Sequence, residues 1–263
     1  MKGILDFSRA KRENRPFSMV TSYDAWSARL AAKAGIDCLL VGDSVAMVVH
    51  GFPDTLHATA EMMAMHTAAV RRGAPQMFIV ADMPFLSFRK GPAVALDVAG
   101  TLMRSGASAV KLEGVRGHEA TIESLVDSGI PVMGHLGLTP QSVHQLGGYR
   151  VQGRSTEDAQ RLLGEAKTLE KLGAFSIVLE CVPEQLAADI TAAVGITTIG
   201  IGSGARTSGQ VLVMHDMLGL QDEFRPRFAR RYLEGHEIVR EALGRYASDV
   251  RDARFPAREE ILC

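Results

Sequence analysis

The stretch GAFSIVLECVPEQLAADITAAVGITTIGIGSGA (residues 173–205) decides the fold. Its two short apolar runs, 175–179 and 197–201, carry no polar face of the kind a half-exposed strand shows. They read as strands of a parallel sheet covered on both sides. The Ala-rich segment between them, 183–194, reads as a helix. Working outward, the same alternation recurs along the chain. Apolar runs fall at 17–23, 38–42, 77–81, 109–112, 131–134 and 210–214, and helical segments at 25–34, 60–71, 92–104, 118–127 and 156–172. Asp24 and Ser155 are candidate helix caps, and Gly35 and Gly173 follow helix ends. Eight strands alternating with helices in about 250 residues point to an α/β fold, a (β/α)8 TIM barrel. An open doubly wound sheet is the alternative. The eighth run and the absence of a G-x-G-x-x-G turn after the first strand favour closure. The chain reads as a single domain over 1–263, with the barrel at about 17–220 and C-terminal helices and tail at 221–263. Residues 225–246 are expected to form one or two helices.

Composition narrows the function. Lys and Arg total 29 against 30 Asp and Glu, which leaves no basic surplus for a nucleic-acid partner. No apolar run reaches the ~20 residues of a membrane helix. The first sixteen residues are broken by Lys2, Asp6, Arg9, Lys11, Arg12, Glu13 and Arg15, so they do not read as a secretory signal. Three cysteines, Cys38, Cys181 and Cys263, make an odd set that suits reduced thiols in a cytoplasmic protein.

In a barrel the chemistry sits at the C-terminal ends of the strands. Read in order, those ends carry Asp24, Asp43 with Ser44, Asp82, Lys111 with Glu113, His135, Glu180, the glycine-rich 200–204, and His215 with Asp216. Asp24 and Asp216 serve equally well as helix caps, and a lone strand-end histidine is more often structural than a ligand. Asp43, Asp82, Glu113 and Glu180 are harder to dismiss. Four carboxylates facing one cavity repel each other unless a cation sits among them, and an oxygen-only set suits Mg²⁺ rather than Zn²⁺. Lys111 is the one of seven lysines that lies inside an apolar strand. It can hold a substrate carboxylate, pair with a neighbouring carboxylate, or form a Schiff base, and the carboxylate crowd favours the first two. The 200–204 loop with Arg206 is a candidate anion loop, or only a tight turn. Met62, Met63 and Met65 read as core filler.

The strand-end motifs together resemble the ketopantoate hydroxymethyltransferase family. The matching segments are 21–24, 40–44, 66–74, 81–85, 110–114, 134–141, 147–153, 179–183, 199–204 and 213–216, collinear from about 17 to 220. The resemblance implies a barrel of the phosphoenolpyruvate/pyruvate superfamily type, one Mg²⁺ per subunit, a cytoplasmic homo-oligomer, commonly a decamer, and neither nucleic-acid nor membrane partners. It implies transfer of a hydroxymethyl group from 5,10-methylenetetrahydrofolate to 3-methyl-2-oxobutanoate, giving 2-dehydropantoate on the way to pantothenate. Residue by residue, it implies Asp43, Asp82 and Glu113 as metal ligands. Asp43, Ser44, Asp82, Lys111 and His135 then bind the substrate, and Glu180 is the proton acceptor. The chain departs from the family pattern at Val45 and Ala46, at His57 and at Ser208. A Mg²⁺-dependent 2-oxo acid lyase or mutase of the same superfamily is the alternative enzyme, and a silent binding barrel the alternative outside enzymes.

Overall fold

The computed structural model describes residues 3–222 and 226–261. Eight strands, β1 Phe17–Thr21, β2 Cys38–Val41, β3 Phe78–Asp82, β4 Ala109–Glu113, β5 Val132–Gly137, β6 Ser176–Glu180, β7 Thr197–Ile201 and β8 Gly209–Leu212, form a closed barrel in sequence order. Every neighbouring pair is parallel, and β8 closes against β1 with Phe17 opposite Gly209. The expected (β/α)8 barrel is therefore the observed one. The boundaries of the strands and of the helices that connect them fall within a few residues of the sequence expectation.

Local signals explain the main helices. Asp24 caps Ala25–Lys33, its carboxylate accepting from Ser27 N–H at 2.8 Å. Ser155 caps Thr156–Lys171 by accepting from Asp158 N–H. The Asp158 carboxylate turns instead to Gly153 N–H at 2.6 Å and to Arg161. Pro92 starts Pro92–Arg104, where its missing N–H costs nothing. Met63 is fully buried whereas Met65 is exposed, so the methionine cluster contributes only in part to the core.

Residues 1–16 hold an element that their charges conceal. Ile4–Arg12 is a helix with Phe7 and Ala10 fully buried on one face. Phe7 packs on Phe17 at 4.2 Å between ring centroids, Phe175 at 5.0 Å and Phe78 at 5.3 Å. Those rings stand at the N-terminal starts of the strands, so this helix seals the base of the barrel. Lys11 secures it by donating to three carbonyls, Thr191, Val194 and Ile196, where Glu184–Ala193 ends.

The chain divides into two compact units, Met1–Val213 and Met214–Cys263. The first is the barrel. The second contains the short helix Met214–Met217 and the long helix Gly235–Arg251, so the helix expected at 225–246 begins later and runs further. His215 and Asp216 belong to this second unit. Cys263 lies outside the described residues.

Candidate active site

Each strand that lines the barrel alternates its side chains in steps of two. Near the base the inward positions are apolar, and one step further they become ionisable. Val80 is followed by Asp82, Ala109 by Lys111 and Glu113, Met133 by His135, and Val178 by Glu180. The parallel register brings these residues level, with Asp82 opposite Lys111 and Glu113 opposite His135. Asp43 enters just beyond β2. Glycine makes the approach possible at two points. A Cβ on Gly42 would stand 2.9 Å from Ser44 Oγ, and Gly137, at φ +95°, brings its backbone against the Glu180 carbonyl.

The result is one contiguous buried network. Lys111 Nζ lies 3.0 Å from Asp82 Oδ1 and 3.3 Å from His135 Nδ1. His135 Nδ1 is 3.5 Å from Glu113 Oε1, and its Nε2 is 3.2 Å from Glu180 Oε2. The Asp43 N–H donates to Asp82 Oδ2 at 3.0 Å. Asp43, Asp82, Lys111, Glu113 and His135 are all buried, and Glu180 is half-buried at the end of β6.

Burial, with the charges of Asp82 and Glu113, pushes the Asp43 carboxyl well above the usual carboxylate range. Burial acts to discharge Lys111, but Asp82, Asp43 and Glu113 outweigh it and raise its pKa, so the amine stays charged. That favours carboxylate pairing over a Schiff base, which needs a neutral amine. For His135, burial and Lys111 oppose protonation, whereas Glu113 and Glu180 overcome both and raise it to about 9. Four carboxylates thus crowd two cationic side chains, a repulsion that a divalent cation would relieve. Among the described residues no three His, Cys, Asp or Glu side chains converge into a ready-made metal cluster. Mg²⁺ does not require one, since it is commonly bound through one or two carboxylates and completed by water and substrate. The donor set therefore fits a hard ion.

Several strand-end readings resolve differently. The 200–204 loop is spent internally. Glu184 Oε1 accepts from Ala205 N–H at 3.2 Å, and Ser203 Oγ donates to the Leu179 carbonyl at 2.8 Å. A carboxylate already holds the place an anion would take, and Arg206 donates to Gln185. Cys181 has its thiol pushed up to about 12 by burial and by Glu180, so it is no thiolate nucleophile. The departures from the family pattern are absorbed locally. Val45 and Ala46 are fully buried, His57 stacks on Phe52 beside Asp54, and Ser208 meets Thr198.

Two residues of the mouth escaped the strand-end reading. Tyr23 is buried, and its hydroxyl is 2.8 Å from Ser44 Oγ. Gln141, on the turn Pro140–Ser142, joins Asp43 to Glu113, its Nε2 donating to Asp43 Oδ2 and its backbone N–H to Glu113 Oε2. Tyr23 lies within the family-like segment 21–24 and Gln141 ends the segment 134–141, but each lies off the inward-facing strand positions.

The family model described as ketopantoate hydroxymethyltransferase matches residues 2–258. A curated relative from Bdellovibrio bacteriovorus, named 3-methyl-2-oxobutanoate hydroxymethyltransferase, is 51% identical over 260 residues, 99% of each chain. One of the same name from Legionella pneumophila is 51% identical, covering 97% of this chain and 98% of the relative. Among solved structures, a phosphonopyruvate hydrolase in complex with oxalate and Mg²⁺ is 12% identical with a TM-score of 0.66, covering 100% of this chain and 94% of that one. A 2,3-dimethylmalate lyase, described as a PEP mutase/isocitrate lyase superfamily member, is 18% identical with a TM-score of 0.63, covering 100% and 93%. These two establish a shared fold.

Proposed function

The chain belongs to the ketopantoate hydroxymethyltransferase family, and we propose from that premise that it transfers a hydroxymethyl group from 5,10-methylenetetrahydrofolate to 3-methyl-2-oxobutanoate, giving 2-dehydropantoate for pantothenate biosynthesis. As its close relatives are named for this activity, the chain is a hydroxymethyltransferase. The single observation that carries the mechanism is the convergence of Asp43, Asp82, Glu113 and Glu180 with Lys111 and His135 in one contiguous network at the mouth.

Asp43 and Asp82 would hold Mg²⁺, with Glu113 as the further carboxylate of that site. When bound, the ion supplies positive charge to the oxygens of the 2-oxo acid and so acidifies its C3 proton. Glu180 takes that proton as the general base. His135, 3.2 Å away, steadies the Glu180 carboxylate through Nε2. Lys111, held charged, and the Ser44 hydroxyl, held by Tyr23, orient the substrate carboxylate. Carbon C3 then bonds to the methylene carbon of the folate as one of that carbon's two C–N bonds breaks, and water displaces the second nitrogen to leave the hydroxyl. The proton held by Glu180 and one proton of the water go to the two nitrogens, and tetrahydrofolate leaves. The metal is supported by the family resemblance and the carboxylate-rich mouth, and the folate donor by the family resemblance alone.

We further propose a cytoplasmic homodecamer. The decameric number rests on the family resemblance, and exposed Trp26 and Leu30, with Leu243 and Tyr246 in the second unit, supply apolar surface for assembly. Among the described residues no helix is long and apolar enough to cross a membrane.

Proton NMR of purified protein with 3-methyl-2-oxobutanoate, 5,10-methylenetetrahydrofolate and Mg²⁺ tests the reading. The expected result is 2-dehydropantoate with metal and none with EDTA. Equal product formation in both samples would overturn the metal role, and no product in either would overturn the donor–acceptor pair.

A further inference from the structure

Gln141 is 7% exposed and stands where three strand ends meet. Its Nε2 donates to Asp43 Oδ2 at 2.8 Å and to the Met83 carbonyl at 3.0 Å. Both partners only accept when Asp43 is ionised, so the amide orientation is fixed and both of its protons are used. The backbone N–H of the same residue donates to Glu113 Oε2 at 3.1 Å. A single turn after β5 therefore grips a carboxylate from beyond β2, a carbonyl from beyond β3 and a carboxylate from the end of β4. Its Oε1 is buried and has no hydrogen-bond partner among the described residues. An acceptor left so is costly unless something inside the mouth donates to it.

We propose that Gln141 is a positioning residue of the metal site, fixing one oxygen of Asp43 and one of Glu113 and so holding both carboxylates in place for a divalent cation. Outer partners of metal-ligating carboxylates commonly hold them in this manner, and their loss weakens the metal more than the fold. The inference rests on the metal reading made above for Asp43, Asp82 and Glu113.

Gln141→Met keeps the length of the side chain and removes its donors and its acceptor. Mn²⁺ affinity of the purified protein, read by electron paramagnetic resonance, is expected to weaken roughly 10–100-fold. The melting temperature of the metal-free protein should stay unchanged, and activity should return as Mg²⁺ is raised, with the loss in metal requirement rather than in kcat. Unchanged Mn²⁺ affinity and unchanged Mg²⁺ dependence would overturn the proposal, as would a lowered melting temperature with metal affinity intact. Should the methionine variant fail to fold, Gln141→Asn, whose shorter amide cannot span the same partners, is measured by the same readouts. Asp43→Asn run in parallel separates the two readings. If it binds Mn²⁺ as the wild type does, the metal reading falls and this inference with it. If it loses Mn²⁺ while Gln141→Met retains it, only the role of Gln141 falls.

Discussion

The two ends of one barrel are built from the same strands and do opposite things. At the base, Phe7, Phe17, Phe78 and Phe175 pack ring on ring beneath the apolar positions of the strands. At the mouth, two to four residues further along β3, β4, β5 and β6, the same inward direction presents Asp82, Lys111, Glu113, His135 and Glu180. The base gains stability from burial and the mouth loses it, because buried carboxylates repel one another. The contrast teaches that the period-2 pattern sets which residues face inward, and the identity of the last inward residue sets what the barrel does.

The largest expected effect divides the two ends outright. Glu180→Gln should lower kcat for hydroxymethyl transfer about 10²–10⁴-fold, the usual reach of a general base, while a thermal melt still shows a folded protein. Steady-state kinetics beside a thermal melt reads both quantities. At the opposite end, Phe7→Ala should cost about 3–5 kcal/mol of stability by emptying a fully buried aromatic site. Denaturant titration measures that loss, and kcat per folded molecule should be retained. A base variant that damaged kcat without loss of stability would blur the division.

A pH titration sharpens it. His135 is raised from 6.5 to about 9 in the folded protein. A raised histidine adds stability that is complete below about 6.5 and fades as the pH rises through about 9. Metal-free protein should therefore lose up to about 3 kcal/mol across that window, and His135→Gln should flatten the slope. Denaturant midpoints collected at pH 6, 7.5 and 9 test this, and an identical slope in the variant would remove His135 as the source. The smallest effect concerns orientation. Tyr23→Phe removes the partner of Ser44 Oγ and should cost about 0.5–1.5 kcal/mol, seen as a raised KM for the 2-oxo acid with kcat nearly intact.

Most of the barrel was legible in the sequence because parallel strands buried on both faces leave short runs rich in Val, Ile and Leu, as at Cys38–Val41 and in the Ile177–Leu179 part of Ser176–Glu180. The ionisable strand ends were legible for the same reason, since nothing in an apolar strand explains Lys111. The basal helix Ile4–Arg12 was not, because its inward face rests on only Phe7 and Ala10 among many charges. Gln141 was hidden differently. It follows the end of β5 on a turn, and only the tertiary approach of three loops gives it Asp43, Met83 and Glu113 as partners. The 200–204 loop stayed ambiguous between an anion loop and a tight turn, because the sequence could not show that Glu184 lies against it.

Exchange of the C3 proton of 3-methyl-2-oxobutanoate in D₂O, without folate, tests the chemistry of the mouth most directly. Wild-type protein with Mg²⁺ should exchange that proton, and wild type with EDTA or Glu180→Gln with Mg²⁺ should not. Exchange at the wild-type rate by Glu180→Gln would contradict the assignment of the base and, with it, the mechanism built on this end of the barrel.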